Sequence, residues 1–120
     1  MGNLIEDKSF AFAVKILTLD KYLKSQGIER DLTRQILRSG TSIGANIAEA
    51  QQAQSNADFI SKMNIALKES AETKYWIRLF EASGYISSDI AKEILEECVE
   101  IEKILYSIIR TAKGKQQLAS

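Results

Sequence analysis

The chain contains no proline in 120 residues, and this absence constrains its fold more than any other single feature. Proline interrupts helices because it lacks a backbone N–H, and it is common in turns and loops and at the ends of strands. A proline-free chain of this length therefore favours a few long helices. Four stretches in which apolar residues recur at helical spacing support this interpretation, at about residues 9–26, 32–54, 57–83 and 88–113.

Apolar positions within these stretches are three or four residues apart, which places them on one helical face. In the fourth stretch, Ala, Ile, Cys, Ile, Leu, Ile and Ala occupy positions 91, 94, 98, 101, 105, 108 and 112. In the first stretch, Phe10, Val14 and Leu17 widen the apolar face. Short joints separate the stretches, so consecutive helices are expected to pack side by side. The sequence predicts an all-α fold: an antiparallel up-down-up-down four-helix bundle, with residues 1–120 in a single domain and a frayed tail at 115–120.

Residues that often cap helices precede each stretch. The predicted first residues or caps are Ser9, Asp31, Ser55 or Asn56, and Ser87 or Ser88. Gly27 is expected to end the first helix.

Composition excludes several classes of protein. Sixteen basic and sixteen acidic residues give a formal net charge of zero, so no strong field draws the chain toward nucleic acid or anionic lipid. The single cysteine, Cys98, excludes an internal disulfide and fits a reducing compartment. No signal peptide and no apolar run of roughly 20 residues is present. We therefore expect a cytoplasmic protein that does not enter a membrane.

The residues that usually carry catalysis are scarce. The chain has no histidine, the commonest general base and metal ligand, which excludes the usual di-iron site of helical bundles. A carboxylate-only metal site built from Glu49, Glu69 and Glu72 is a minor alternative. Cys98 lies on the apolar seam of the fourth stretch and is expected to be a buried, inert thiol. We expect no enzyme activity, no cofactor and no metal.

The second stretch is unusual because small and polar residues replace the charges of a surface helix. Its predicted core face carries Leu32, Ile36, Ser39, Gly40, Ile43, Ile47 and Ala50. One flank forms a polar ribbon of Gln35, Arg38, Ser42, Asn46 and Glu49. We predict a partly buried network in which Arg38 pairs with Glu49 or with Glu72, since buried polar groups need partners. The alternatives are a solvated flank, or an anion facing Arg34 and Arg38.

Candidate contacts between subunits come from small and aromatic residues. Gly44 and Ala48, on the other flank of the second stretch, permit close approach of a helix. Tyr75, Trp76 and Phe80 lie where the third stretch is apolar nearly all round, which indicates burial in the core or against a partner. A base-stacking platform is the less favoured interpretation of these aromatic residues.

The second stretch carries the motif Leu32-Thr33-x-Gln35-Ile36-x-Arg38-Ser39-x-x-Ser42-Ile43-x-x-Asn46-Ile47-Ala48-Glu49. Later residues that accompany it are Phe59, Ile65-Ala66, Glu72 and Gly84-Tyr85-Ile86. Together they resemble the family of bacterial four-helix-bundle proteins encoded in intervening sequences of 23S ribosomal RNA genes. The resemblance covers nearly the whole chain and is densest in the second stretch.

This resemblance implies a barrel-shaped homopentamer. It also implies similarity to the accessory proteins of diversity-generating retroelements, which are thought to bind nucleic acid and a reverse transcriptase. Those accessory proteins are strongly basic, whereas this chain is neutral, and phosphate contacts require surplus cations. The favoured hypothesis is a non-enzymatic, oligomeric scaffold or adaptor associated with nucleic acid or reverse transcriptase. The alternatives are a bundle that binds a small molecule or metal through Glu49 and Glu72, or a partner in a hetero-complex.

Overall fold

Four α-helices make up the protein in the computed structural model, which describes the backbone of residues 3–119 and the side chains of residues 3–115. The helices are α1 (Leu4–Ser25), α2 (Arg30–Ala50), α3 (Asn56–Ala82) and α4 (Ser88–Ala119). Residues 3–119 contain no strand. The predicted all-α class and the four helices are confirmed.

The helices form a ring in which α1 packs against α2 and α4, and α3 packs against the same two neighbours. Contacts between side chains give the direction of each helix. Lys8 near the start of α1 meets Glu100 of α4, and Lys15 further along meets Glu97. Because residue numbers rise along α1 as they fall along α4, the two helices run in opposite directions. Polar contacts across the α2–α3 and α3–α4 pairs have the same opposite sense.

One apolar core lies inside this ring and receives side chains from all four helices. Each large apolar side chain that leaves water stabilises the fold by roughly 1.5–3 kcal/mol. The largest fully buried residues are Phe12, Phe80, Ile5, Ile16, Leu23, Ile36, Ile43, Ile47, Met63, Ile77, Ile94 and Ile101. Along each helix they are three, four, seven or fourteen residues apart, which places them on one helical face, as the sequence predicted.

Helices α1 and α2 approach each other closely at two glycines of α2. A Cβ atom added to Gly40 would lie 2.8 Å from Cγ1 of Ile16, and one added to Gly44 would lie 3.2 Å from the backbone oxygen of Ser9. The small residues of α2 therefore let its backbone approach α1 of the same chain. Gly44, predicted as a contact between subunits, permits this approach within one chain because it has no side chain.

The first helix starts five residues earlier than the predicted Ser9. Asn3 is the N-cap of α1, and its side-chain oxygen accepts a hydrogen bond from the backbone N–H of Ile5 at 3.0 Å. Ser9 is buried inside the helix, where its hydroxyl donates to the carbonyl of Glu6. The prediction was wrong because an asparagine caps a helix as well as a serine does.

The second helix also differs from its predicted range of 32–54. It begins at Arg30, so that Asp31 lies within its first turn and is not the N-cap. It ends at Ala50, and residues 51–55 form the joint before α3. The hydroxyl oxygen of Ser55 accepts from the N–H of Asp58 at 3.0 Å, and this confirms Ser55 as the cap of α3.

The fourth helix starts as predicted and ends later than predicted. The hydroxyl oxygen of Ser87 accepts from the N–H of Ile90 at 3.2 Å and caps the first turn. The helical backbone continues to Ala119, past the predicted end at 113 and through the tail expected to fray. Gly114 does not interrupt it. Ser120, the last residue of that predicted tail, lies outside the described residues.

Candidate interaction surfaces of the bundle

The outer flank of α1 carries a stripe of exposed apolar side chains. Phe10 is 72% exposed, and Val14 and Leu17 are each about half exposed. They follow one another at steps of four and three residues and so share one face. We predicted from the sequence that they widen the apolar face of the first helix, but in the structure their side chains are exposed to solvent. The core accepts only the neighbouring stripe that contains Phe12 and Ile16, because α1 has helices on two sides alone. We call Phe10, Val14 and Leu17 the α1 stripe.

A groove of about 450 Å³ lies beside the α1 stripe, between α1 and α2. Small side chains form most of its floor, and the carboxylates of Glu6 and Asp7 lie at one end. Its lining residues are Glu6, Asp7, Ser9, Phe10, Ala13, Thr41, Gly44, Ala45 and Ala48. Phe10 belongs to both features, so the α1 stripe and this α1–α2 groove form one continuous surface. It contains Gly44 and Ala48, both predicted to contact another subunit.

Arg38 forms the centre of a surface ion-pair cluster between α2 and α3. Its side chain, which is half exposed, pairs with Glu72 and lies 3.5 Å from a carboxylate oxygen of Glu69. The guanidinium hydrogen-bonds Glu72 and lowers the pKa of that carboxyl, while Glu72 raises the pKa of Arg38. Burial, together with the neighbouring Glu72, raises the pKa of Glu69. Of the two partners predicted for Arg38, the structure selects Glu72. Glu49 pairs instead with Lys62, at 3.2 Å.

The rest of the polar ribbon bonds within its own helix. The hydroxyl of Ser42 donates to the carbonyl of Arg38 at 2.6 Å, and the side-chain amide of Asn46 donates to the carbonyl of Ser42 at 2.8 Å. Gln35 is half-buried on the same flank. Of the predicted partly buried network, the pair of Arg38 with Glu72 is present, at the surface, whereas Ser42 and Asn46 bond within α2 and do not join it. Local bonds to the preceding turn satisfy Ser42 and Asn46 more readily than contacts across helices.

Other polar contacts between helices are more deeply placed, one of them fully buried and two partly buried. The hydroxyls of Thr73 and Ser39 hydrogen-bond at 3.0 Å between α2 and α3. Between α3 and α4, the carboxylate of Glu102 accepts from Ser70 and from Lys74, both at 2.8 Å. The sequence places Ser39 on the core face of the second stretch, but we did not predict these bonds from it. A signal was present, because hydroxyls at core positions of facing helices require partners.

Cys98 is buried in the α4 seam near these polar groups. Burial raises the pKa of its thiol to about 12, so the nucleophilic thiolate is almost absent at neutral pH. Within residues 3–115, no three Asp, Glu or Cys side chains converge as a metal site would require. Glu49 and Glu72, the anchors of the predicted small-molecule or metal site, are each engaged by a cation of the protein.

The aromatic residues of α3 run from the surface into the core. Tyr75 is exposed, Trp76 is half-buried and Phe80 is fully buried. Tyr75 and Trp76 meet edge to face, with ring centroids 5.3 Å apart, and Phe80 lies 6.3 Å beyond Trp76. Phe80 is therefore a core residue, which corrects its prediction as an oligomer contact. Tyr75, with the exposed Leu79, remains available to a partner.

Comparison with known proteins places this bundle in a family. A model of the family described as 23S rRNA-intervening sequence protein matches residues 3–107. A crystal structure from Bacteroides thetaiotaomicron VPI-5482, described as a protein with unknown function from the S23 ribosomal protein family, is 53% identical. The match covers 88% of this chain and 97% of that one, with a TM-score of 0.85. No curated protein matches the chain. In the part that the structure describes, no helix is both long and apolar enough to cross a membrane. The chain belongs to the 23S rRNA-intervening sequence protein family.

Proposed function

We propose that the protein is a non-enzymatic scaffold that assembles with copies of itself through the α1 stripe and the α1–α2 groove. The observation that carries this proposal is the α1 stripe, in which Phe10 exposes most of its ring beside two further apolar side chains. Continuous apolar surfaces on a folded domain mark sites where another molecule binds. The groove next to the stripe offers room for an apolar side chain of that molecule.

A closed ring of subunits requires two different surfaces that fit each other, because each subunit contacts its two neighbours head to tail. The α1 stripe supplies one such surface, and the exposed Tyr75 and Leu79 on α3 supply a second. Helices α1 and α3 occupy opposite corners of the bundle, so these surfaces face different neighbours. Such contacts suit a closed ring, and the number of five subunits comes from the family resemblance.

An adaptor role toward RNA or an RNA-associated enzyme such as a reverse transcriptase is the second part of the proposal. Its support is the connection of the family with 23S ribosomal RNA genes. A chain of zero formal charge offers little attraction to phosphate by itself. A ring repeats each local cluster of cations in every subunit, which supplies the multiple phosphate contacts that one subunit lacks. Binding of single-stranded RNA should then weaken as salt rises, and an affinity independent of salt would exclude this mode.

The assembly is tested by placing charge on the α1 stripe. We expect the double variant Phe10→Glu/Leu17→Glu to sediment as a folded monomer in analytical ultracentrifugation, because two carboxylates cannot enter an apolar interface without a large desolvation cost. The matched control is Tyr106→Glu, which alters an exposed aromatic residue on α4 outside both proposed surfaces. It should keep the mass of the wild-type assembly. Oligomers of equal mass in all three proteins would refute the assignment of this surface.

A further inference from the structure

We propose that the outer face of α4, toward its C-terminal end, binds single-stranded nucleic acid. Lys103, Tyr106, Arg110 and Lys113 follow one another there at steps of three and four residues, which places them on one side of the helix. We call these four residues the basic face of α4. The proposal rests on the RNA-adaptor part of the proposed function, for which it names the binding surface, and it does not depend on how the subunits assemble.

The charges of α4 are divided along the helix. Residues 88–102 include six acidic side chains and one lysine, whereas from Lys103 onward the chain has four cations and no acidic side chain. The last of the acids, Glu102, accepts hydrogen bonds from Ser70 and Lys74 of α3. A chain whose formal net charge is zero therefore carries a local region of positive charge at this end of α4.

The three cations of the basic face, Lys103, Arg110 and Lys113, are exposed to solvent. None of them forms an ion pair with a side chain of residues 3–115. Lys15 of α1 and Lys74 of α3, by contrast, both pair with acidic residues of α4. The helix dipole favours cations only in the last turn, and Lys103 and Arg110 lie more than two turns before the end of α4. The dipole therefore does not account for these two cations, which are available to an anionic partner.

Tyr106 lies between these cations, one turn from Lys103 and one turn from Arg110. It is 57% exposed, and its ring meets no other aromatic ring among residues 3–115. Proteins that hold single strands combine cations that contact the phosphates with aromatic rings on which the bases stack. The basic face of α4 has both parts, because the ring of Tyr106 is flanked on each side by a cation.

Other anionic partners fit the basic face less well. A lipid surface requires several apolar side chains that enter it, and within residues 88–115 the large apolar residues exposed on α4 are Val99 and Tyr106 alone. An acidic protein segment would pair with the cations but would leave the ring of Tyr106 without a role. A duplex hides its bases and would also use the cations alone. From Lys103 to Lys113 the face is about 15 Å long, which holds a short run of nucleotides.

Fluorescence anisotropy with a short, labelled oligoadenylate RNA tests the proposal. We expect Tyr106→Ala to weaken binding about tenfold because a stacked base is lost, and Tyr106→Phe to retain it because the ring remains. Arg110→Ala should weaken binding and reduce its dependence on salt, because one phosphate contact is lost. Two matched controls should bind as the wild type does: Tyr22→Ala, an exposed tyrosine on α1, and Lys92→Ala, a cation in the acidic part of α4. All four residues are exposed, so the variants keep the fold.

A duplex RNA of the same length separates stacking from charge. The single strand should bind more tightly although the duplex carries more phosphates, and tighter binding of the duplex would overturn the proposal. RNA binding that Tyr106→Ala leaves unchanged would also overturn it, while the RNA-adaptor part of the proposed function would stand at another surface. A wild-type protein that binds no RNA would refute both. Poly-glutamate bound as tightly as the single strand would assign the basic face to an acidic protein partner and would equally overturn the proposal.

Discussion

Gly40 is the position at which the packing of α1 on α2 can be tested most sharply. In Gly40→Ala, the new methyl group would lie 2.8 Å from Cγ1 and 2.9 Å from Cγ2 of Ile16. Carbon atoms in contact prefer about 3.5–4.0 Å, and Ile16 is completely buried and cannot turn into solvent. Overpacking of this kind costs about 1–3 kcal/mol. The higher helix propensity of alanine returns about 1 kcal/mol. We therefore expect a net loss of up to about 2 kcal/mol in the free energy of unfolding.

Two other helical glycines provide matched controls for this substitution. Gly114 has nothing within 4 Å of an added Cβ, so Gly114→Ala should be neutral or stabilise by up to about 1 kcal/mol. Gly44→Ala should fall between the two, because its methyl group would lie 3.2 Å from the backbone oxygen of Ser9. The assay is urea unfolding followed by circular dichroism, with all variants at one protein concentration because assembly contributes to apparent stability. If Gly40→Ala proved as stable as Gly114→Ala, whose added methyl group meets nothing within 4 Å, the close approach of α1 and α2 would be refuted.

Three further predictions follow from the polar groups. Cys98 should react with a thiol reagent at pH 8 only as fast as the protein unfolds, because its pKa of about 12 and its burial suppress the thiolate; rapid reaction in the native state would contradict this. Thr73→Val should destabilise the fold by about 1–2 kcal/mol in urea, since it leaves the hydroxyl of Ser39 without its buried partner. Arg38→Ala should cost about 1 kcal/mol or less at pH 7, because the ion pair is half exposed. Arg38 lowers the pKa of Glu72 below its ordinary value of 4.5. The ion pair therefore contributes its full stability above pH 4.5, and this stability is lost as pH falls through the lower pKa of Glu72 in the folded state. The difference between wild type and Arg38→Ala should therefore shrink in acid, and a difference that grows there would contradict the assignment.

Most of the fold follows from spacing in the sequence. The positions of Ile36, Ile43 and Ile47 in α2, and of Cys98 and Leu105 in α4, recur with the helical period and are buried as that period predicts. This works because a helix in a bundle presents one face to the core, whichever neighbours cover it. Helix ends were less predictable, because several residue types cap a helix with similar energies.

The interaction surfaces were harder to predict, because they depend on how helices are arranged around the core. The sequence places Phe10 next to the apolar face of α1, but whether that flank meets a helix or solvent is decided by the positions of α2 and α4. The choice of Glu72 over Glu49 by Arg38 likewise depends on the register of α3 against α2.

The mass of the native wild-type protein tests most directly the claim that its exposed apolar surfaces join copies of the chain. Native mass spectrometry at micromolar concentration distinguishes the assemblies without a variant or a label. The account predicts a homopentamer of about 67 kDa, five times the 13.4 kDa of one chain. A folded protein that remains at 13.4 kDa over the accessible range of concentrations would contradict it.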